Sequence, residues 1–556
     1  MLQFVFSFVL LLSGPSHPRT LPYRWVYVSR SLRSDSDVED IRRIVEKSAR
    51  AGLNGMVLSA GLDRLTLQPQ QYFRRLKEVD SVCRSVGIEI IPIIFSVGYG
   101  GSVLAHNRNL AAGLYVEDAL YVAGNREARF VPDPYVELKN GGLEQWRSGR
   151  AAGFRFHDRP GEISFRDARV RRSGAASIRF ESFGRFPHGH ARLMQEVTVR
   201  PHRCYRFACW VRTEKLKPEG CFRLLVLAPD GRNLASFRPS VPATTGSWKR
   251  VVLGFNSLDY DKVKVYAGVW GGRSGRFWLD DLSLQEVGLL NVLRRPGTPV
   301  SVRSEKTGRL YVEGRDFERI FDPHLNFRFD HESPPLKLPR GSRIKPGERL
   351  RVSYYHGIAI NRGQVSVCMS EPELYKIWRK EAQLLVRTLR PEKFLLSMDE
   401  IRAGGSCRAC KARRLSMARI LGACITKQVE ILREAEPGAE IFIWSDMLDP
   451  NHNAHDRYYL VEGDFSGSWR YVPKDLVIVC WYYDKRAASM KFFSEHGFRT
   501  LAGAYYDGDT LDNPRGWLEV IGKTRGACGI MYTTWRNKYE LLEPFGRLVK
   551  DWLAGE

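Results

Sequence analysis

The feature that most constrains this chain is an alternation of short apolar segments with amphipathic helical segments at both ends of the sequence. Apolar segments of this kind, between helices, are typical of parallel strands buried on both faces. Eight of them are WVYVSR (25–30), GMVLSA (55–60), IEIIPIIFSV (88–97), KFLLSMDE (393–400), EIFIWSDM (440–447), DLVIVCWYYD (475–484), FRTLAGAYYD (498–507) and ACGIMYTTW (527–535). The count predicts an α/β fold, a (β/α)8 TIM barrel.

The barrel pattern stops after the third strand. Residues 138–290 contain short alternating strands separated by turns, which favours an antiparallel β-sandwich. We therefore predict a first barrel part at 19–137, a sandwich at 138–290, a β-rich annex at 291–349 and the rest of the barrel at 350–556. The segment RVSYYH (351–356) would be a ninth strand, so it is either the return edge of the inserted β region or a miscounted strand.

The predicted sandwich resembles the jelly-roll folds of carbohydrate-binding modules. The resemblance rests on LKNGGLEQW (138–146), SGAASIRF (173–180), CYRFACWVRT (204–213) and FWLDDLSL (277–284). It implies either glycan binding by this segment or structural support of a neighbouring catalytic domain.

The ends and the charge of the chain bear on its location and partners. Residues 1–18 carry an apolar run followed by turn-forming residues, which predicts a signal peptide and a secreted or periplasmic protein. No later segment has the length of apolar sequence needed for a membrane span.

The net charge of +24 comes without a nucleic-acid-binding motif, so we expect no nucleic acid and a glycan partner, which could be acidic. The sequence does not indicate an oligomeric state.

Cysteine and histidine spacing gives no strong metal signal. Cys407 and Cys410 form the one close pair, which we interpret as a local disulfide or two free thiols because no second pair stands nearby. A weaker metal hypothesis concerns DPNHNAHDRYY (449–459), with His452 and His455. We predict no cofactor and no metal.

Carboxylates and aromatic residues recur at the carboxyl ends of the predicted strands, where barrel enzymes place their chemistry. In chain order these are Asp399, Glu400, Trp444, Asp446, Trp481, Tyr505, Tyr506, Asp507 and Trp535. Carboxyl groups supply the acid and base of glycoside cleavage, and flat apolar faces suit sugar rings. The pattern predicts a sugar-sized pocket.

The C-terminal half resembles the family 20 glycoside hydrolases, the β-N-acetylhexosaminidases. The motifs that carry the resemblance are SMDEIRAGG, IFIWSDMLDP, VIVCWYYD, LAGAYYDGD and GIMYTTW, in that family's order. It implies exo-acting removal of a terminal N-acetylhexosamine, in which the acetamido oxygen of the substrate attacks the anomeric carbon. Glu400 would be the general acid and then base, Asp399 would bind the acetamido N–H, and Tyr505 would donate to the acetamido oxygen.

The same resemblance implies the remaining contacts. Trp444, Trp481 and Trp535 would surround the acetamido methyl group, and Arg24 would bind sugar hydroxyls. Tyr506 could replace Tyr505, since a one-residue shift in a strand swaps faces.

The chain also departs from the family pattern. Leu395 to Met398 stand where His-x-Gly-Gly is usual, and Asn537 stands where a glutamate is common. His356, His452 and His455 could supply the missing contacts.

Two rival functions remain open. The first is a retaining glycosidase or glycanase that pairs Glu400 with another carboxylate, Asp446 or Asp507, on a sugar without the acetamido group. The second is a non-catalytic glycan-binding protein built on the same barrel and sandwich.

Overall fold

A computed structural model describes residues 20–361 and 363–555. The predicted signal peptide at 1–18 lies outside these residues. Within the described part of the chain, no helix has both the length and the apolar character required to cross a membrane.

The core of the fold is a closed barrel of eight parallel strands. The barrel strands, in chain order, are Tyr23–Ser29, Gly55–Ser59, Glu89–Ile94, Lys393–Leu396, Glu440–Trp444, Val477–Cys480, Arg499–Tyr505 and Ala527–Thr533. The predicted α/β barrel accompanied by antiparallel β structure is confirmed.

Helices accompany the barrel strands along the chain. Within 20–361 and 363–555 the α-helices are Asp35–Arg50, Gln70–Ser85, Gly101–His106, Pro372–Leu389, Arg408–Ala412, Met417–Ala435, Arg486–Glu495, Asp512–Ile521 and Leu542–Ala554. Strand residues alternate between two cores, because successive side chains of a strand point to opposite faces. Trp25 and Tyr27 point into the barrel, whereas Val26 and Val28 pack against the helices.

Two five-stranded antiparallel sheets form the sandwich. The first has the order Lys249–Asn256, Cys204–Lys217, Ser274–Glu286, Ser177–Phe180 and Ser164–Asp167. The second has the order Asn233–Phe237, Phe222–Leu227, Lys262–Val269, Ala191–Thr198 and Phe156–His157. Their alternate residues share one apolar core.

A six-stranded antiparallel sheet adjoins the sandwich core. Its order is Leu310–Tyr311, Ser301–Ser304, Arg349–His356, Leu114–Ala123, Glu127–Phe130 and Leu336–Lys337. The segment that we counted as a ninth strand is therefore Arg349–His356, which pairs with Leu114–Ala123 and lies outside the barrel. Two short pairs complete the sheets, Trp146–Arg147 with Arg150–Ala151 and Ala403–Gly404 with Leu460–Val461.

The sandwich contacts a loop above the barrel. The Arg232 guanidinium donates to the carbonyl oxygens of Tyr459 and Val461, the latter at 2.7 Å. Arg457 pairs with Asp230 at 2.6 Å. The segment 457–461 follows the fifth barrel strand, so these contacts join the sandwich to the end of the barrel where that strand terminates.

Candidate active site

The backbone of Glu400 is fixed from three sides at the carboxyl end of the fourth barrel strand. Its N–H donates to Asp446 Oδ2 at 2.8 Å, and its carbonyl oxygen accepts from Gln364 Nε2 at 2.7 Å. Gly98 passes so close that a Cβ there would lie 2.0 Å from the Asp399 carbonyl oxygen. Glu400 itself has a φ of +50°, a left-handed conformation that is costly for a residue with a side chain and is often found at functional sites.

Both carboxyl oxygens of Glu400 have partners. Arg402 Nη2 lies 2.6 Å from Oε1, and the Tyr99 hydroxyl donates to Oε2. Arg402 is 4% exposed, whereas the Glu400 side chain is 22% exposed and reaches solvent. The two contacts orient this carboxyl group at the barrel mouth.

Asp399 is the second carboxyl group at this position. The Ser397 hydroxyl donates to its Oδ1 at 3.0 Å. Burial and the neighbouring Glu400 charge raise the pKa of Asp399 to about 6. It can therefore exchange a proton near neutral pH.

Asp446 lies beneath the pair and is fully buried. Its Oδ2 accepts the Glu400 N–H and, at 2.8 Å, the Asn453 side-chain amide. Burial and the charge of Asp399 raise the pKa of Asp446 to about 8. We predicted that Asp446 binds substrate; its Oδ2 positions the Glu400 backbone, its Oδ1 has no hydrogen-bond partner among the described residues, and substrate binding by this group stays a prediction.

Aromatic side chains at five barrel strands or their carboxyl ends, and one from a loop, lie near the carboxyl groups, whose charges act on Tyr27, His452 and Tyr506. We call this set the aromatic wall. Trp535 contacts Tyr27 at 5.1 Å, Trp444 at 6.0 Å and Tyr506 at 6.1 Å between ring centroids. Trp481 stacks on Tyr506 at 6.2 Å and contacts His452 at 4.5 Å. The wall thus consists of Tyr27, Trp444, His452, Trp481, Tyr506 and Trp535.

The wall is deepest at Trp444 and open at its rim. Trp444 is 2% exposed and forms the floor together with the residues inside the barrel, whereas Tyr506 is 45% and Trp535 44% exposed. Gly503 leaves room for the floor, since a Cβ there would lie 3.5 Å from Trp444 Cζ3 and 3.2 Å from Trp481 Cβ. The predicted tryptophans Trp444, Trp481 and Trp535 therefore lie together.

The structure places Tyr505, which we predicted to be catalytic, outside the aromatic wall. Its ring stacks on Tyr532 at 4.1 Å in the layer between barrel and helices, and it is 2% exposed. The alternative, Tyr506, belongs to the aromatic wall. Burial and the charge of Glu400 raise the pKa of Tyr506 above its usual value, which keeps its hydroxyl protonated.

Asp507 has a structural role. Its carboxylate accepts from the backbone N–H groups of Trp535 at 3.0 Å and Arg536 at 3.2 Å, and from the Thr534 hydroxyl. We predicted substrate binding, but these bonds use Asp507 to place the loop that carries Trp535.

Two further predicted contacts lie elsewhere. Arg24 is the second residue of the first strand, so it lies at the amino end of the barrel, where its guanidinium donates to the carbonyl oxygens of Leu21 and Gly52. His356 is fully buried beside Asn256, 3.0 Å away, at the edge of the sandwich core. Both residues lie away from the candidate site, so the structure gives no support to their predicted contacts with a sugar.

Sequence reasoning missed Tyr99, Arg402, Gln364 and Tyr27. Arg402 stands two residues after Glu400 and could have been found from that spacing. Tyr99 and Gln364 lie in loops far from Glu400 in sequence, and nothing in their local pattern indicates the contact.

The metal hypothesis for 449–459 finds no support in the contacts of its histidines. His452 stacks on Tyr482 at 4.5 Å, and burial lowers its pKa to about 4. His455 is exposed and hydrogen-bonds to the Asp456 carbonyl oxygen at 2.6 Å.

Comparisons with known proteins give matches among solved structures alone. No protein-family model and no curated protein matches the chain. A rhamnosidase from Novosphingobium sp. PP1Y is 9% identical, with a TM-score of 0.34, and the alignment covers 96% of this chain and 59% of the rhamnosidase.

Carbohydrate-binding modules are also similar in structure. The module TmCBM61, solved with β-1,4-galactotriose, is 19% identical with a TM-score of 0.21, over 27% of this chain and 97% of the module. The CBM22-1 xylan-binding domain of Paenibacillus barcinonensis Xyn10C is 12% identical with a TM-score of 0.20, over 26% of this chain and 91% of the domain.

Proposed function

We propose that this protein is a glycoside hydrolase whose catalytic groups are Asp399 and Glu400. The observation that carries the proposal is that these two carboxyl groups follow the fourth barrel strand, close enough to the aromatic wall that the Asp399 charge acts on Tyr27 and the Glu400 charge acts on His452 and Tyr506. Glycoside cleavage needs a proton donor for the leaving oxygen and a second carboxylate for the positive charge that develops on the sugar ring.

We assign different roles to the two carboxyl groups from their surroundings. Glu400 is oriented through both oxygens by Tyr99 and Arg402, which suits a carboxylate directed at the anomeric carbon. Asp399, with its pKa raised to about 6, suits the proton donor. This pair needs no chemical group from the substrate, so the first candidate substrate is a glycoside without an acetamido group.

A second candidate substrate is a 2-acetamido sugar. It is supported by the grouping of Trp444, Trp481 and Trp535 with the Tyr506 hydroxyl, an apolar space with a hydrogen-bond donor that fits an acetamido group. In this mechanism Glu400 donates the proton and Asp399 acts as a carboxylate.

The pH dependence of kcat/KM separates the two mechanisms. If Asp399 is the proton donor, activity on 2-hydroxy glycosides falls about tenfold per pH unit above pH 6. If Asp399 must be charged, activity on 2-acetamido glycosides falls below pH 6 instead. Both series of chromogenic glycosides are assayed across this pH range. We expect cleavage of the 2-hydroxy series with a loss of activity above pH 6. Cleavage of the 2-acetamido series with a loss of activity below pH 6 would assign the acetamido mechanism instead.

Substitution of each carboxyl group tests the proposal as a whole. We expect Glu400→Gln and Asp399→Asn to lose at least about 100-fold in kcat, because each removes a charge or proton used in the transition state. Glu495→Gln, at an exposed helix position, is the matched control and should retain activity. Full activity in Glu400→Gln, or no cleavage of either series by the native protein, would reject the enzymatic proposal.

A further inference from the structure

Three buried cysteine thiols converge beside the loop that carries Glu400. The Sγ atoms of Cys368, Cys407 and Cys410 are separated by 3.4, 3.6 and 3.7 Å. Each of these cysteines is at most 4% exposed. Cys368 precedes the helix Pro372–Leu389, Cys407 directly precedes the helix Arg408–Ala412, and Cys410 is the third residue of that helix. Sequence spacing revealed the pair Cys407 and Cys410 but not Cys368, which lies 39 residues from Cys407.

We propose that Cys368, Cys407 and Cys410 bind one zinc ion. Zinc bound by thiolates at about 2.3 Å in a tetrahedron places the sulfurs about 3.8 Å apart. The three observed separations are near this value and nearly equal. A disulfide, in contrast, would bring two sulfurs to about 2.05 Å and exclude the third.

The surroundings match the charge of such a site. Zinc with three thiolates carries one net negative charge. The Arg295 guanidinium, 4% exposed, acts on Cys368 and Cys407 through its positive charge, and its Nη2 atom has no hydrogen-bond partner. Glu371 pairs with Nε of Arg295 at 2.7 Å, so the N–H groups of Nη2 are available to donate to sulfur. The Ser370 hydroxyl beside Cys410, or a water molecule, would complete the tetrahedron.

The ion would connect two segments that serve the candidate active site. Gln364 accepts from Arg402 and donates to the Glu400 carbonyl oxygen, and it stands four residues before Cys368. Arg402 stands five residues before Cys407. Zinc would therefore stabilise the loop positions of Gln364 and Arg402 relative to each other, a structural role that does not depend on the reaction catalysed.

The test is metal analysis of the full chain purified with a thiol reductant. We expect about one zinc per chain, with X-ray absorption indicating three sulfur ligands at about 2.3 Å. Cys410→Ala should lose the zinc and unfold at a lower temperature, since metal binding contributes to folding stability. Cys83→Ala, which removes a buried thiol from the helix Gln70–Ser85, is the matched control and should keep the zinc.

Two results would overturn the proposal. One is a disulfide between any two of the three cysteines in non-reducing mass spectrometry of protein purified without reductant. The other is zinc bound through nitrogen and oxygen alone, or no zinc after the native protein is incubated with it. The absorption measurement uses the native chain, so it decides even if Cys410→Ala fails to fold.

Discussion

At the scale of single residues, the site depends on the direction in which each side chain points where a barrel strand ends. Tyr505, Tyr506 and Asp507 have φ values of +81°, +59° and +62° in succession. The regular alternation of a strand does not hold through such a segment, so sequence alone could not decide which tyrosine faces the barrel mouth. Arg24 is different, because its place at the start of a strand already puts it at the end of the barrel opposite to the predicted chemistry.

The two neighbouring tyrosines provide a matched test. Tyr506→Phe removes a hydroxyl of the aromatic wall and should lower kcat/KM by about tenfold, the value of one hydrogen bond to substrate. Tyr505→Phe removes a hydroxyl in the helix layer and should leave kinetics unchanged.

The measurement is steady-state kinetics on the best chromogenic glycoside, together with thermal unfolding of both variants. The reverse ranking of the two variants would mean that our description of this strand end is incorrect.

At the scale of secondary-structure elements, the eight barrel strands were predictable because each is a continuous apolar run between helices. The aromatic wall was largely predictable for the same reason, since Trp444, Trp481 and Trp535 stand at or just beyond strand ends. The loops were not predictable. Tyr99 and Gln364 reach Glu400 through long-range contacts that leave no periodic pattern.

Close packing of the barrel interior allows a prediction for one strand. A Cβ at Gly55 would lie 2.5 Å from Trp25 Cδ1 and 2.8 Å from Ile91 Cδ1. Gly55→Ala should therefore lower the free energy of unfolding by about 1–3 kcal/mol through overpacking.

Gly101→Ala is the control, because a Cβ at this position would have no neighbour within 4 Å and the residue begins a helix, where alanine is favourable. Urea unfolding of both variants measures the difference. Equal stabilities would contradict the interior packing described for Trp25.

At the scale of the whole molecule, buried carboxyl groups make stability depend on pH. Burial raises the pKa of Asp446 to about 8, from a usual value of 3.8. Between these values the folded state binds more protons than the unfolded state, so stability falls as the pH rises. One such carboxyl group contributes at most about 1.4 kcal/mol per pH unit.

We therefore expect the free energy of unfolding of the native protein to fall between pH 5 and pH 8. The Asp446→Asn variant keeps an oxygen for the Glu400 N–H but cannot ionise, so its free energy of unfolding should fall less steeply over this range. Asp475→Asn, at an exposed position, should follow the native protein. Chemical denaturation at several pH values gives the slopes, and identical slopes for all three proteins would refute the role given to burial.

The order of strands along the chain has a consequence for biosynthesis. The third barrel strand ends at Ile94 and the fourth begins at Lys393. At a translation rate of 5–20 residues per second, the ribosome needs roughly 15–60 s to make the chain between them. During that interval the first three strands have an unpaired edge at Glu89–Ile94, which is prone to association with other nascent chains.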